Sequence, residues 1–414
     1  MEKITFLLIT YILTAGIYAK NMQVCPNCKL SLISEAIQIA QNFDTIEVQK
    51  GIYKESNITI TKPIHIHGET GAIIDAENKG HIIKIKSDQV IIKNLLLINS
   101  GNSDIEEFAA IYLEGVKDCI IENNRINSST YGIYLSKSHN SRIANNQIQG
   151  FAKGEALSGN GIHLWYSENN QLINNEILGH RDGLYFEFSN KLTIRNNKSL
   201  QNIRYGMHFM FSHDTIAENN LFDKNITGVA IMYSDKIRVH KNLFLASNNR
   251  SSLGILMKEI NDSTLSYNTI ENSTEGIIID SSNKNLFLNN TFQKNGIAIK
   301  LYGNSRENIF TNNNIQYNFF DMSTNTRESH NLFTHNYWDK YLGYDLDRNN
   351  LGDVPYRPVQ AFIYWVHKYQ ELSMLLGSPV VEFLNLAEKA FPSLSPVNLM
   401  DKYPRLKRII DDRS

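Results

Sequence analysis

Gly206-Met207-His208-Phe209-Met210 is followed, 22 residues on, by Gly228-Val229-Ala230-Ile231-Met232. The same signature, a glycine and then alternating apolar residues, recurs at Gly132-Ile133-Tyr134-Leu135, Gly161-Ile162-His163-Leu164, Gly183-Leu184-Tyr185-Phe186, Gly254-Ile255-Leu256-Met257 and Gly276-Ile277-Ile278-Ile279. From Gly132 to Gly276 these glycines are spaced 29, 22, 23, 22, 26 and 22 residues apart. An asparagine pair, or its remnant, keeps the same beat. Its second member falls at Asn124, Asn146, Asn175, Asn197, Asn220, Asn242, Asn268, Asn290, Asn313 and Asn336. A period of 22–23 residues built from short alternating runs is one coil of a solenoid. Leucine-rich repeats share the period, but their Leu-x-x-Leu-x-Leu run and helical half are absent. The sequence therefore predicts an all-β solenoid, a right-handed parallel β-helix of about ten or more coils with a C-terminal helical extension. Ten coils at about 4.8 Å each would stack over roughly 48 Å.

The repeat explains the composition. Asparagine supplies 50 of 414 residues, although it favours neither helices nor strands. At one turn of every coil it can adopt the left-handed backbone conformation and bond its amide to the asparagines above and below. The first and third residues after each glycine point inward, and burying one such side chain contributes roughly 1.5–3 kcal/mol. The long steps are insertions into single coils, at Phe151 to Asn160 and Ser247 to Leu253, with a third at Ser100 to Phe108. On solenoids such loops gather on a working face.

The expected organisation is a signal peptide over 1–19, a β-helix over 20–336 with a capping helix at about 31–40, and an extension over 337–414. Lys3, the apolar run Ile4 to Ile17 and the site Ile17-Tyr18-Ala19 read as an export signal. At about 14 residues the run is short of the roughly 20 that span a bilayer. The extension carries two apolar helical patterns, Phe362, Trp365, Tyr369, Leu372 and Leu376, then Val380, Phe383, Leu384, Ala387 and Phe391. They either cap the last coil or dock on a partner. A balance of 41 basic against 42 acidic residues argues against a nucleic-acid partner, which needs a concentrated basic face.

Stacking turns the period into columns. The second outward position reads Tyr134, His163, Tyr185, His208 and Ala230; the fourth reads Ser136, Trp165, Glu187, Met210 and Met232. His208, Met210 and Met232, with His163 nearby, form a soft donor set that suits Cu(I). The alternative is an adhesive apolar patch without metal. His180-Arg181-Asp182 sits at a coil corner, where Asp182 either fixes the histidine tautomer or closes a salt-bridged turn. Cys25 and Cys28 are either a soft-metal or redox dithiol or a local disulfide. Asp345, Asp347, Asn349 and Asp353 are spaced like the start of a calcium loop. Asn350 replaces the glycine at its sixth position and Tyr356 the final glutamate, so the loop is partial or merely a hydrogen-bonded turn.

Gly161-Ile162-His163-Leu164-Trp165, Gly179-His180-Arg181-Asp182-Gly183-Leu184-Tyr185, Arg204-Tyr205-Gly206-Met207-His208-Phe209-Met210, Val229-Ala230-Ile231-Met232-Tyr233-Ser234 and Gly254-Ile255-Leu256-Met257-Lys258 resemble the repeats of the NosD family. Asn336-Tyr337-Trp338, Gly343 to Asp347 and Gly352 to Pro358 resemble its C-terminal block. The similarity runs from about residue 30 to about 400. It implies a periplasmic maturation protein for nitrous oxide reductase rather than an enzyme, peripheral to the inner membrane through a transporter. The partners it implies are an ABC-type ATPase and permease, a lipoprotein copper chaperone and the apo-reductase whose copper–sulfur centre is completed. Partner contacts are expected from Trp165, Tyr185, Glu187, His180, Arg181, Asp182, Phe362, Trp365 and Tyr369. The competing class is a Ca²⁺-assisted carbohydrate-active β-helix enzyme, a uronate lyase or epimerase. Against it, no Asp/Glu cluster marks the candidate face.

Overall fold

The computed structural model describes residues 19–103, 105–151, 154–155, 158–245, 252–375, 378–391 and 397–410. The expected signal segment and most of the 247–253 insertion lie outside the described residues.

The chain winds into three parallel sheets of 14, 12 and 13 strands, and successive strands of each sheet come from successive coils. That is about thirteen coils. The glycine-led strands make the 12-stranded sheet, in which Ile133, Ile162, Leu184, Met207, Val229, Ile255, Ile277 and Ile299 fall in register. These side chains are buried, because alternation turns every second residue into the coil. Lower in the stack the core is aromatic: Phe287, Phe310 and Phe333 lie face on face with 4.3 Å between centroids.

The asparagine pair divides its labour. The expectation that one asparagine both turns the chain and joins the ladder is corrected. The first member takes the left-handed conformation, as at Asn123, Asn145, Asn174, Asn196 and Asn219, and Lys241, Tyr267 and His335 serve there as well. The second member is buried and forms the ladder. Asn197, for example, donates its side-chain amide to Asn220 Oδ1 (3.1 Å) and to the Leu172 carbonyl (2.8 Å). Its own oxygen accepts the backbone N–H and side-chain amide of Asn175. Every amide is satisfied, as burial requires.

Both ends of the stack are covered, which removes strand edges that would pair with other chains. At the start, α1 (Ile33–Ile39) turns Ile33, Ala36 and Ile37 into the first coil. The Glu55 carboxylate accepts the N–H groups of Ile33 and Ser34, and Lys62 Nζ donates to the carbonyls of Ile37, Gln38 and Ala40. At the other end strands continue to Trp338, and residues 398–405 bridge onto the last coil. The ladder finishes there on buried Asp401. Its Oδ2 accepts the Asn336 N–H, the Asn336 side-chain amide and Trp338 Nε1.

In the extension, α2 (Ala361–Lys368) packs on the strand Phe320–Thr324 and on α3 (Pro379–Ala390). The expected faces are only partly covered. Phe362 is buried, whereas Trp365 and Tyr369 are exposed and stack on each other 6.2 Å apart. On α3, Val381 is buried while Val380, Phe383, Leu384 and Phe391 are exposed.

Candidate functional site

The outward columns form in the predicted register. Tyr134 pairs with His163, His163 with Tyr185, Tyr185 with His208 and His208 with Ala230. Ser136, Trp165, Glu187, Met210, Met232 and Lys258 make the neighbouring column. Two insertions gather over the first column. Tyr131 donates its hydroxyl to Glu107 and Phe108 meets the His81 ring edge-on at 5.5 Å, while Asn160 approaches His163 and Glu155 pairs with Arg204.

In the first column Tyr134, His163 and His208 are buried and Tyr185 is half-buried, and the rings stack into a continuous ladder. His81, Tyr112, Tyr134, His163, Tyr185 and His208 follow one another with centroid steps of 4.6, 5.2, 4.3, 4.7 and 4.9 Å. Such ring pairs contribute about 0.5–1.5 kcal/mol each beyond their area. Burial, reinforced by Arg181, pushes His163 down to about 3. Burial likewise takes His180 and His81 to about 4, so all three are neutral imidazoles at pH 7. His163 is separated from His208 by Tyr185. The expectation that His163 joins the thioethers is therefore corrected: it packs against Tyr134 instead, with interplanar angle 7°.

His208 sits where the ring ladder meets a buried ion pair. Asp182 is fully buried, and Arg204 grips both its oxygens. His208 Nδ1 lies 3.4 Å from Asp182 Oδ2, and His208 Nε2 is buried without a protein hydrogen-bond partner. Burial alone would raise the Asp182 carboxyl, but His208 and Arg204 outweigh it and hold it below the usual range. Asp182 thus pairs with Arg204 and His208 rather than with His180, the contact that one of the two coil-corner readings required. His180 is buried against the Thr130 backbone, and Arg181 is half-buried beside it.

Met210 and Met232 pair directly in register, with His208 two residues from Met210 on the same outward side. Both thioethers are half-buried. Neighbouring strands lie about 4.8 Å apart, which sets the two thioethers side by side, while the His208 ring leans towards Asp182 and Tyr205 at the other end of its strand. This donor set can take a soft monovalent ion. Trp165 is half-exposed, with Lys137 Nζ 5.3 Å above its ring.

The residue after each member of this column is in the left-handed conformation. Tyr166, Phe188, Phe211 and Tyr233 have φ of 48°, 49°, 50° and 53°. Their rings stack 4.7, 5.1 and 4.9 Å apart, and Tyr166 and Phe211 are 45 % and 40 % exposed. Sequence reasoning passed over them, along with Arg204. The signal was present as Trp165-Tyr166-Ser167, Glu187-Phe188-Ser189, Met210-Phe211-Ser212 and Met232-Tyr233-Ser234, and as Arg204 standing 22 residues after Asp182.

Other candidates lie elsewhere. Cys25 and Cys28 are joined as a disulfide, which corrects their reading as copper ligands because no thiolate is available. In the aspartate loop, Asp345 accepts the N–H groups of Asn349 and Asn350, Asp353 accepts that of Leu346, and Asp347 accepts the Asn349 amide. The oxygens close the turn on itself. Among the described residues no three His, Cys, Asp or Glu side chains converge as a metal site.

Several solved structures share the architecture. The mannuronan C-5 epimerase AlgE4 A-module of Azotobacter vinelandii superposes with a TM-score of 0.51 at 13 % identity, covering 71 % of this chain and 86 % of its own. A family 28 exopolygalacturonase of Yersinia enterocolitica gives 0.62 at 13 %, covering 76 % and 78 %. At such identity the likeness shows the fold alone. Sequence relatives say more. The "Probable ABC transporter binding protein NosD" of Stutzerimonas stutzeri is 28 % identical over 373 residues, 85 % of each chain. The protein of the same name in Pseudomonas aeruginosa is 29 % identical over 370 residues, 85 % of this chain and 86 % of its own. The family model "Periplasmic copper-binding protein (NosD)" matches residues 5–158 and 149–343. The chain therefore belongs to the NosD family of periplasmic copper-binding proteins.

Proposed function

We propose that this protein is a non-catalytic periplasmic scaffold for copper-site assembly in nitrous oxide reductase. It docks an inner-membrane ABC transporter, receives Cu(I) from a lipoprotein chaperone and passes it to the apo-reductase. Copper is cargo in this reading. The carrying observation is the register that sets Met210 against Met232 with His208 on the same side, on a chain of a copper-binding family. Thioethers and an imidazole hold Cu(I) loosely enough to exchange it. Transporter docking falls to the uncovered helix faces around Trp365, Tyr369, Phe383 and Phe391, since exposed apolar patches of this kind mark interaction surfaces.

The test replaces Met210 and Met232 by leucine, which keeps volume, and His208 by alanine separately. The purified proteins are titrated with Cu(I) against a competing chelator, and copper-loaded reductase is measured in cells. Loss of Cu(I) binding together with reductase carrying incomplete copper is expected. Full maturation with unchanged Cu(I) affinity would remove this site from the account.

A further inference from the structure

Asp44 is a buried carboxylate without a cation of its own. It stands in the turn between α1 and the strand Thr45–Val48, and it is 4 % exposed. Its Oδ1 accepts the Lys20 backbone N–H at 2.7 Å and its Oδ2 accepts the Gln41 N–H at 2.8 Å. These two donors, Lys20 foremost, hold the carboxyl below its usual range. Among the described residues no ion pair engages it, and the side-chain ammonium groups of Lys20 and Lys62 act on it only from beyond contact. Burying an anion is costly unless a cation meets it.

Lys20 is where the chain joins the fold. The strand that follows it, Asn21–Val24, is the outermost of its sheet and pairs only with Thr45–Val48. Lys20 fixes the near end of that strand: its N–H goes to Asp44, and its carbonyl accepts the Thr45 N–H at 2.9 Å. The turn closed by Cys25 and Cys28 fixes the far end. Met22 and Val24 are buried, whereas Ala19 and Lys20 are exposed, so the bond between them stands open to a peptidase. The export signal read from Ile17-Tyr18-Ala19 ends at this same bond.

We propose that Asp44 is the receptor for the amino terminus that processing creates at Lys20. Hydrolysis of the Ala19–Lys20 bond consumes one water. Its oxygen joins the Ala19 carbonyl carbon as a carboxylate, the C–N bond breaks, and both hydrogens pass to the Lys20 nitrogen, which becomes an ammonium. That nitrogen already lies 2.7 Å from Asp44 Oδ1, so the ion pair forms without rearrangement. A neutral donor becomes a cation against a buried anion, and a charge-assisted bond is roughly twice as strong as a neutral one. The outermost strand is therefore locked only once the leader is gone, and the unprocessed chain stays looser at its first coil while it is exported. Copper plays no part in this step.

The protein is recovered from the periplasm of cells expressing the whole gene, and mass spectrometry of the intact chain is expected to place its first residue at Lys20. Two forms, beginning at Lys20 and at Ala19, are then released from one fusion by a protease that leaves no residue behind, with Cys25 and Cys28 oxidised in both. Hydrogen exchange is followed at the Thr45 N–H, which is bonded to the Lys20 carbonyl. It should be roughly fivefold slower in the form that begins at Lys20, the gap between a charge-assisted and a neutral hydrogen bond. In the same pair carrying Asp44→Asn, the two forms should exchange alike. A first residue other than Lys20, equal exchange in the parent pair, or a difference that survives Asp44→Asn would each overturn the proposal. If Asp44→Asn does not fold, the parent pair alone decides.

Discussion

Asn220→Ala is the perturbation that most directly probes why this chain folds. Asn220 is buried in the middle of the ladder. Its oxygen accepts the Asn197 N–H at 2.8 Å and the Asn197 side-chain amide at 3.1 Å. Its amide donates to the Ile194 carbonyl at 3.0 Å and to Asn242 Oδ1 at 2.9 Å. Alanine removes all four bonds and leaves two donors and a carbonyl dry, while Asn242 Oδ1 still accepts the Asn220 N–H. At about 1–3 kcal/mol for each buried group left unsatisfied, the cost is roughly 3–6 kcal/mol. Asn219→Ala, one residue earlier, strains an exposed left-handed corner (φ 55°) and costs about 1–2 kcal/mol. Urea unfolding gives the two midpoints, and amide hydrogen exchange reports the Asn197 N–H, which should lose protection only in Asn220→Ala. Equal costs, or an Asn197 amide as protected as before, would refute the division of labour between turn and ladder.

Asp401→Ala leaves the Asn336 N–H, the Asn336 side-chain amide and Trp338 Nε1 without their acceptor. Exchange should rise at the last coil and along 398–405, with a loss of about 3–5 kcal/mol. Arg204→Ala strands the buried Asp182 carboxylate, and a loss of about 3–5 kcal/mol in urea unfolding is expected. The acid response follows from the histidines. His163, His180 and His81 have folded values of about 3, 4 and 4, below the unfolded value near 6.5. Between these limits the unfolded chain binds more protons, so stability falls on acidification from about pH 6.5, through 4 for His180 and His81 and on to about 3 for His163, and the histidine contribution levels off below. The slope is up to about 1.4 kcal/mol per pH unit for each histidine, and urea midpoints taken across that range should flatten in His163→Phe.

The comparison with polysaccharide-active β-helices shows how little the architecture says about chemistry. The outward columns here hold rings and thioethers beside the half-buried carboxylate of Glu187, with Glu114 and Asp280 farther along the same column.

Sequence alone determined the solenoid, because a 22–23-residue period of alternating apolar residues has one stable way to bury its inward side: by stacking coil on coil. It also determined which residues share a column, since register follows from the period. It could not separate the roles within each asparagine pair, because both members suit a turn and only burial decides which amide must be satisfied internally. Nor could it place Asp401, Glu55 or Lys62, whose bonds tie the coils to the capping helix and to the returning C-terminal segment, neither of which belongs to the repeat. Tertiary structure alone decided that His163 and His208 are buried, that Asp182 turns to Arg204, and that Cys25 and Cys28 close on each other. Local pattern fixes which way a side chain faces, but what covers it depends on segments that the repeat does not govern.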